Sequence, residues 1–380
     1  MTPSIWTAEH VAAIAKSPQP TAPVISYDDQ RAMIPGLDLW DFWPIQYPNG
    51  KTARIAGGSL WMVLAAPAIG NPVDRHLHAR IRLLYLANGQ WRDLGQLLPD
   101  GLNPGNREWS GSAILNGSNR LTLYYTAAGV AGTKGGWQQR LYQTHATLEV
   151  QNGKPRLRNW SDAAELVESD GNHYVIVNQV EGQPGTVKAF RDPAYFCDPA
   201  NGKSYLLFAA SLAASDHSHN GCVGVARALD DVHTKWELLP PFITADTLNN
   251  ELERPHMITK RGLYYLFWST QRSVFAPSGP TGPTGLYGMV SESMEGPYTP
   301  LNGTGLVIAN PESEPNQAYS WQVLDDLRVT SFVDSANTRD RAMHDDSAAR
   351  RHFGGTLAPL LQIALEGASA KLVLTELGSL

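Results

Sequence analysis

Apolar and polar residues alternate over short stretches along most of the chain. Within residues 80–86, Ile81, Leu83 and Tyr85 fall on one face of an extended segment, and residues 120–126 repeat this spacing. Side chains of a β-strand point to opposite faces with a period of two, so the spacing predicts strands with one buried face. Turn residues, mainly Gly, Pro and Asn, separate the segments. The pattern therefore predicts a succession of short β-strands.

Two predicted hairpins are clear in this succession. Residues 195–197 and 205–210 flank an Asn-Gly dipeptide, which favours the tight turn of a hairpin. Residues 255–259 and 263–269 form a second pair of strands around a short turn that ends in glycine. Further strands are predicted at residues 60–66, 287–291, 327–333, 360–365 and 371–377.

Helical periodicity is confined almost entirely to the N-terminus. Thr7 is placed to N-cap a short helix over residues 8–16, and a proline-rich stretch, residues 18–35, follows. We therefore expect residues 1–35 to form an arm that packs on a single domain of residues 36–380. Strand segments recur without a linker-like change in composition, so this domain is predicted to be all-β, either a propeller or a large sandwich.

The composition is that of a soluble globular protein and argues against several classes of partner. Of the 380 residues, 42% are hydrophobic and 17% are charged, and the formal net charge is −6. No segment reaches the roughly 18 consecutive apolar residues needed to span a bilayer, so no membrane partner is expected. Without basic clusters, the negative charge argues against a nucleic-acid partner. The first ten residues lack the basic and apolar regions of a cleavable signal peptide, so none is expected.

The first candidate for chemistry is a carboxylate between two tryptophans. Asp41 follows Trp40 and precedes Phe42-Trp43-Pro44. Aromatic faces cover the apolar face of a sugar ring, while a carboxylate meets its hydroxyls or its anomeric carbon. The alternative is a partly buried acid that caps a turn, with the tryptophans in the core.

Two later stretches carry further acids. Arg191 lies beside Asp192, so its guanidinium is expected to hold that carboxylate ionised. Glu251 and Glu253 precede Arg254, and in an extended segment their side chains share one face. Like charges at close range raise the pKa of one of the two, which suits a general acid. The alternative for each stretch is a solvated ion pair at the end of a strand.

Together these motifs resemble glycoside hydrolase family 68, the levansucrases and related β-fructofuranosidases, of the Gram-negative type. The resemblance runs along most of the chain and rests on Trp40-Asp41-Phe42-Trp43-Pro44, Glu108-Trp109-Ser110-Gly111-Ser112, Phe190-Arg191-Asp192-Pro193, Glu251-Leu252-Glu253-Arg254-Pro255-His256, Gly296-Pro297-Tyr298-Thr299-Pro300-Leu301-Asn302-Gly303, Gln317-Ala318-Tyr319-Ser320 and Gly354-Gly355-Thr356-Leu357-Ala358-Pro359. It implies a five-bladed β-propeller with a central, funnel-shaped active-site pocket.

The resemblance also implies roles for individual residues. Asp41 matches the nucleophile that attacks the fructosyl unit of sucrose, Asp192 the transition-state stabiliser, and Glu253 the acid/base. The positions that match sugar-binding residues are Trp40, Trp109, Ser110, Arg191, Glu251 and Tyr319, and Gln271 aligns with a position near the acceptor sugar. The implied partners are sucrose, acceptor sugars and water, without a cofactor.

The chain departs from the family pattern at two informative positions. Asn250 stands where Gram-positive members carry an acidic calcium ligand, and because an amide is a weaker ligand for a hard cation, no metal is expected there. Members often have Arg or His at the position of Gln271, so we expect weaker polymerisation and more hydrolysis or short oligosaccharides. Arg272 is an alternative candidate for that role, one residue further on.

Weaker signals concern histidines and cysteines. The stretch Asp74-Arg75-His76, with His78, lies near the sugar or takes part in structural hydrogen bonds. Residues 216–219 contain two histidines but no evident third ligand, so a polar loop rather than a metal site is expected. Two cysteines are too few for a disulfide framework, so both are expected to be free and buried.

These observations predict a retaining, sucrose-cleaving fructosyltransferase of the levansucrase type. The first alternative is a mainly hydrolytic β-fructofuranosidase of the invertase type, and the second is a non-catalytic sugar-binding propeller. The resemblance to Gram-negative members implies an extracellular protein exported without a cleavable signal, and a cytoplasmic location stays open. The oligomeric state, the linkage and the chain length of the product are not determined by the sequence.

Overall fold

A computed structural model describes residues 2–16, 18–183, 185–338 and 346–373, and within them the protein is all-β, as predicted. The strands are β1 (Ser4–Ile5), β2 (Leu37–Gln46), β3 (Ser59–Pro67), β4 (Arg80–Ala87), β5 (Gln90–Gln96), β6 (Arg107–Leu115), β7 (Arg120–Ala128), β8 (Gln139–Gln151), β9 (Lys154–Arg158), β10 (Ala164–Val167), β11 (Phe190–Cys197), β12 (Ser204–Ser211), β13 (Gly221–Ala228), β14 (Trp236–Thr244), β15 (Glu253–Lys260), β16 (Leu263–Thr270), β17 (Gly285–Ser291), β18 (Thr299–Pro300), β19 (Leu306–Ala309), β20 (Ala318–Val323), β21 (Arg328–Ser335), β22 (Phe353–Leu357), β23 (Leu361–Glu366) and β24 (Ser369–Val373). The α-helices are α1 (Ala8–Ala12) and α2 (Asp346–His352).

Strands that follow one another in sequence mostly pair antiparallel. Their pairing gives sheets with the orders β1-β14-β13-β12-β11, β15-β16-β17-β18 and β20-β21-β23-β24, with β19 added to β17 and β22 to β21. A longer sheet has the order β10-β8-β7-β6-β2-β3-β4-β5, because β2 and β6 pair in parallel through Ile45 and Ala113. Both predicted hairpins are confirmed as the pairs β11–β12 and β15–β16.

The N-terminal segment is anchored to the strands by backbone pairing and by a tryptophan. Strand β1 pairs in parallel with β14, and the ring of Trp6 is fully buried, with Nε1 donating to the Thr304 carbonyl at 2.9 Å. The side chain of Thr7 caps α1 by accepting from the backbone N–H of His10. The predicted N-terminal helix is confirmed, although its second half, Ala13–Lys16, is a 3₁₀ helix.

Five strands share a local irregularity. In β2, β6, β11, β15 and β20 the pairing register shifts between Trp40 and Trp43, Trp109 and Gly111, Arg191 and Ala194, Glu253 and His256, and Tyr319 and Gln322. A bulge of this kind bends a strand and re-aims the side chains beside it. In each of the five strands, the side chains of the bulge residue and of the residue before it therefore point in directions that a regular strand would not give them.

The remaining predictions concern the termini and the thiols. The last predicted strand, residues 371–377, lies partly outside the described residues, and β24 begins two residues earlier than predicted. Cys197 and Cys222 are both free, as expected, but only Cys222 is buried, because Cys197 lies at the end of β11 beside the hairpin turn. Among the described residues, no helix combines the length and the apolar character needed to cross a bilayer.

Candidate active site

One pocket collects the residues predicted to form the site. It is lined by all ten of the predicted residues, namely Trp40, Asp41, Trp109, Ser110, Arg191, Asp192, Glu251, Glu253, Gln271 and Tyr319. Eight of these are the bulge residues of the five irregular strands, or the residues just before them. The bulges thus explain why five short motifs that are far apart in sequence reach one cavity.

Asp41 occupies the bulge of β2. Its backbone is left-handed, with φ 53°, and its Oδ2 accepts a hydrogen bond from the Ser110 hydroxyl. The Trp40 ring beside it is 2% exposed and lines the same pocket. The carboxylate is therefore oriented by a neighbouring strand and lies beside an aromatic ring.

A single guanidinium links the other carboxylates of the site. Nη2 of Arg191 lies 2.8 Å from Oε1 of Glu253 and 3.2 Å from Oε1 of Glu251, and its Nε lies 3.8 Å from Oδ2 of Asp192. The Tyr319 hydroxyl donates to the other oxygen of Glu253. Glu253 is therefore fixed from two sides, by a cation and by a phenol.

Burial dominates the protonation of two of these acids. Burial raises the pKa of Asp192 to about 7, although Arg191 lowers it. Burial also raises the pKa of Glu251, to about 7, with a further contribution from the charge of Glu253. Arg191 thus acts on the pKa of Asp192 in the predicted direction, but burial has the larger effect and the net shift is upward. The charge of Glu253 contributes to this shift, as the spacing of the two acids predicted, but burial is the larger cause.

Arg254 has a larger structural role than its sequence motif indicated. Its Nη1 donates to the Ser320 hydroxyl at 2.8 Å, and its Nη2 donates to the Phe42 carbonyl at 3.0 Å. Its backbone N–H also points to Oδ2 of Asp192 at 3.4 Å. Arg254 thus ties β15 to β20 and β2 beside the predicted catalytic acids.

Arg75 and His76 of the histidine stretch line the pocket, which favours for these two residues the interpretation that the stretch lies near the sugar. The His76 ring lies against Trp40 and Trp109, with centroids 5.9 and 6.5 Å away. Burial, followed by the charge of Arg75, lowers the pKa of His76 well below its usual value. The Arg75 guanidinium in turn lies 5.4 Å from the centroid of Trp40. His76 is therefore a neutral ring in contact with two predicted sugar-binding tryptophans.

Several residues of the pocket wall carry no signal in the sequence that would assign them to it. They are Leu64, Trp137, Gly185, Val187, Ser273, Ser320 and Phe332. Trp137 lies 5.9 Å from Trp109, ring centroid to ring centroid, and is almost completely buried. It comes from the loop between β7 and β8, where the sequence carries no strand pattern or acidic motif that would identify it.

The structure distinguishes the two candidates for the acceptor position. Gln271 lines the pocket, whereas Arg272 lines a separate groove against the N-terminal segment, next to Val11 and Ile14. The backbone N–H of Arg272 donates to the Thr284 hydroxyl at 3.0 Å. The placement favours Gln271 as the residue that faces a sugar.

Asn250 uses its amide as a donor beside the site. Its Nδ2 lies 3.0 Å from the Gly185 carbonyl and 3.4 Å from the Val187 carbonyl, so it ties a pocket-lining loop to the segment before β15. Within the part of the chain that the structure describes, no group of three or more His, Cys, Asp or Glu side chains is arranged to hold a metal ion.

An all-β fold whose pocket combines paired carboxylates with aromatic faces is typical of a carbohydrate-active protein. A family model described as Levansucrase/Invertase matches residues 1–221 and 217–378. The chain therefore belongs to this family, glycoside hydrolase family 68. The levansucrases of Rahnella aquatilis and Zymomonas mobilis are each 32% identical to it over 96% of this chain, and over 93% and 89% of their own lengths.

Solved structures agree with this assignment. An inulosucrase from Halalkalicoccus jeotgali, bound to kestose, superposes with a TM-score of 0.90 and 35% identity over 98% of this chain and 95% of that one. A levansucrase from Gluconacetobacter diazotrophicus has a TM-score of 0.85 at 24% identity, over 98% of this chain and 90% of that one, and supports the fold alone.

Proposed function

We propose that this protein is a retaining fructosyltransferase that cleaves sucrose and passes the fructosyl unit to sugars or to water. The observation that carries the proposal is the arrangement of Asp41, Asp192 and Glu253, which come from three different strands and line one pocket. The names of the relatives, levansucrase and inulosucrase, support the same class of reaction.

In the proposed mechanism the reaction proceeds by double displacement. The carboxylate of Asp41 attacks the fructosyl anomeric carbon, the bond from that carbon to the glucosyl oxygen breaks, and Glu253 gives its proton to that oxygen. Glucose leaves, and a fructosyl ester of Asp41 remains. Glu253 then takes a proton from water or from a sugar hydroxyl, which attacks the same carbon and releases Asp41. Asp192 stabilises the positive charge of both transition states.

The contacts of the site support these assignments. The Ser110 hydroxyl orients one oxygen of Asp41, which leaves the other for attack. Arg191 and Tyr319 hold opposite oxygens of Glu253, so the acid/base has a defined position before substrate enters. Preorganised groups of this kind need little rearrangement during the reaction.

The proposal includes a five-bladed propeller with a funnel-shaped central pocket. Strands β2, β6, β11, β15 and β20 each begin an antiparallel group, and they contact one another in that order, with β20 returning to β2. A closed ring of first strands supports five blades around one axis. The shared bulges support a common orientation of the five strands toward that axis. Contacts of Trp6 and β1 support the interpretation of residues 1–35 as an arm on this single domain.

The balance between transfer and hydrolysis depends on the acceptor side of the pocket. Gln271 offers a neutral amide there instead of a cation. We therefore propose that hydrolysis and short oligosaccharides form a large share of the products.

The decisive experiment is incubation with sucrose at high concentration, with glucose and free fructose measured over time. Glucose in excess over fructose is expected for transfer, and equal amounts for the mainly hydrolytic alternative. Release of neither sugar would contradict the proposal and favour a sugar-binding propeller without catalysis. Binding of sucrose by calorimetry would then identify that alternative.

A further inference from the structure

A buried arginine lies behind the pocket and beside two of its tryptophans. The Arg107 guanidinium carbon is 5.6 Å from the Trp109 ring centroid and 5.5 Å from that of Trp137. Arg107 is 1% exposed and is not itself part of the pocket lining. A cation in contact with two aromatic faces, away from water, gives a cation–π interaction near the upper end of its range.

The polar partners of this guanidinium are few. The Nη2 atom of Arg107 donates to the Gly136 carbonyl, and its Nε atom is buried without a hydrogen-bond partner among the described residues. Burial lowers the pKa of Arg107 to about 10, so the group stays charged at neutral pH. A buried charge needs compensation, and the Gly136 carbonyl and the two rings are among the groups that supply it here.

The Arg107 contact is one of several that position Trp137. Trp137 ends a loop whose residues 130–135 are exposed, and Gly132, Gly135 and Gly136 in that loop have positive φ, which leaves the backbone permissive. Asn106 Nδ2 holds the loop by donating to the Thr133 and Gly135 carbonyls at 3.1 and 2.8 Å. At Trp137 itself, the backbone N–H donates to the Gln179 carbonyl at 2.7 Å, and the ring lies against Arg107 and Trp109. Trp109, by contrast, lies within a strand, and its Nε1 donates to the His76 carbonyl at 3.3 Å.

We propose that Arg107 is a positioning residue that holds Trp109 and Trp137 together as one wall of the sugar pocket and so sets its affinity for sugar. The inference rests on the proposed function. Arg107 acts through the rings, since it does not line the pocket and its Nη2 bonds to the loop carbonyl of Gly136. Its loss therefore weakens sugar binding more than it slows the chemical step.

The test compares Arg107→Met and Arg107→Lys with the unmodified protein. Glucose release is measured over a range of sucrose concentrations. We expect Arg107→Met to raise KM by about tenfold, the loss expected for a desolvated cation–π contact, with kcat changed by less than about threefold. Arg107→Lys keeps the charge but not the planar group, so an intermediate KM is expected. Acrylamide should quench tryptophan fluorescence more strongly in both variants, because the Trp137 ring becomes more accessible.

Arg140→Met is the matched control. Arg140 also lies against an aromatic ring, 5.4 Å from the centroid of Tyr142, and it reaches the Gly129 carbonyl at the other end of the same loop at 3.5 Å. Neither Arg140 nor Tyr142 lines the pocket. We expect the KM of Arg140→Met to stay within about twofold of that of the unmodified protein. This comparison separates an effect through Trp109 and Trp137 from a general loss of stability.

Several outcomes would overturn the inference. An unchanged KM and unchanged quenching in folded Arg107→Met would contradict it, as would equal changes of KM in the Arg107 and Arg140 variants. If Arg107→Met does not fold, Arg107→Lys is combined with Trp137→Leu, and additive effects on KM would contradict an action through Trp137. If the unmodified protein releases no glucose, the proposed function fails, while the quenching measurement still decides the role of Arg107.

Discussion

Asp41 and Asp192 lie in different strands, yet both are held in the left-handed backbone region, with φ 53° and 64°. For a residue other than glycine this conformation costs about 1–2 kcal/mol. Both residues lie in β-bulges, which turn their side chains into the same pocket. The two carboxylates are 151 positions apart in the sequence (192 − 41), and local backbone strain accompanies their convergence in one pocket.

Replacing Asp41 with Asn removes the proposed nucleophile but keeps the size of the side chain. We expect glucose release from sucrose to fall by more than about 10³-fold, as for other enzymes that lose a nucleophile, while sucrose still binds. Asp38→Asn is the matched control, because Asp38 is in the same strand but pairs with Arg350 at 2.7 Å outside the pocket. That variant should lose thermal stability and keep most of its turnover. Turnover of Asp41→Asn within tenfold of the unmodified protein would contradict the assignment.

Gly111 follows the bulge of β6, where another strand passes very close. A Cβ atom at this position would lie 1.9 Å from the Tyr124 carbonyl oxygen, and backbone atoms cannot move away as a flexible side chain does. Gly111→Ala is therefore expected to lower the free energy of unfolding by about 3 kcal/mol or more. Gly117→Ala serves as the control, since no atom lies within 4 Å of its added Cβ. Equal denaturant midpoints for the two variants would show this prediction to be wrong.

Glu108 is a buried carboxyl on the strand that carries Trp109. Burial raises its pKa to about 7, although its Oε2 accepts a hydrogen bond from the Ile81 N–H at 2.7 Å. The folded protein therefore binds more protons than the unfolded chain between about pH 4.5 and 7, and stability falls as the pH rises through that window. At pH 8, Glu108→Gln should raise the free energy of unfolding by about 1–3 kcal/mol, and at pH 4 it should change little.

The control for this pH dependence is Glu149→Gln, which makes the same chemical change at a side chain that is 52% exposed. Its effect should stay within about 0.5 kcal/mol at both pH values. Urea unfolding at pH 4 and pH 8 measures both variants. A stabilisation by Glu108→Gln that is the same at the two pH values would count against burial as the cause.

Gln271 gives a prediction about the products. Gln271→Arg places a cation where we propose that an acceptor sugar binds. We expect the ratio of transfer to hydrolysis to rise about two- to fivefold, the equivalent of one additional hydrogen bond. Arg272→Ala should leave the ratio unchanged, because Arg272 lies in a separate groove. Chromatography of the products from high sucrose measures the ratio. Levan of high molecular mass from the unmodified protein would contradict the proposed role of Gln271.

Much of the site could be predicted because each motif is a short, continuous stretch of the sequence. Trp40-Asp41, Arg191-Asp192 and the Glu251 to Arg254 segment bring their own chemistry, and their spacing along the chain already indicated a shared function. The raised pKa of Asp192 could not be predicted in this way, because burial has the largest effect on it and burial is a property of the whole fold.

The roles of Trp137 and Arg107 could not be predicted from the sequence. Trp137 reaches the pocket from a glycine-rich loop, and Arg107 contacts it only because β6 passes behind that loop. Neither residue stands in a periodic pattern that encodes the contact. Trp137 lies 28 positions after Trp109 and 30 positions after Arg107 in the sequence (137 − 109 and 137 − 107). Their contacts therefore depend on the path of the chain in space.

By itself, the sequence determined the all-β class, the positions of most strands and the acids that carry the proposed chemistry, because alternation and short motifs act locally. Only the tertiary structure decided which side chains meet in the pocket and which carboxyls lose their contact with solvent. It also decided that Gln271 rather than Arg272 lines the pocket. Contacts between distant strands and the removal of water set those properties, and neither is encoded at any one position.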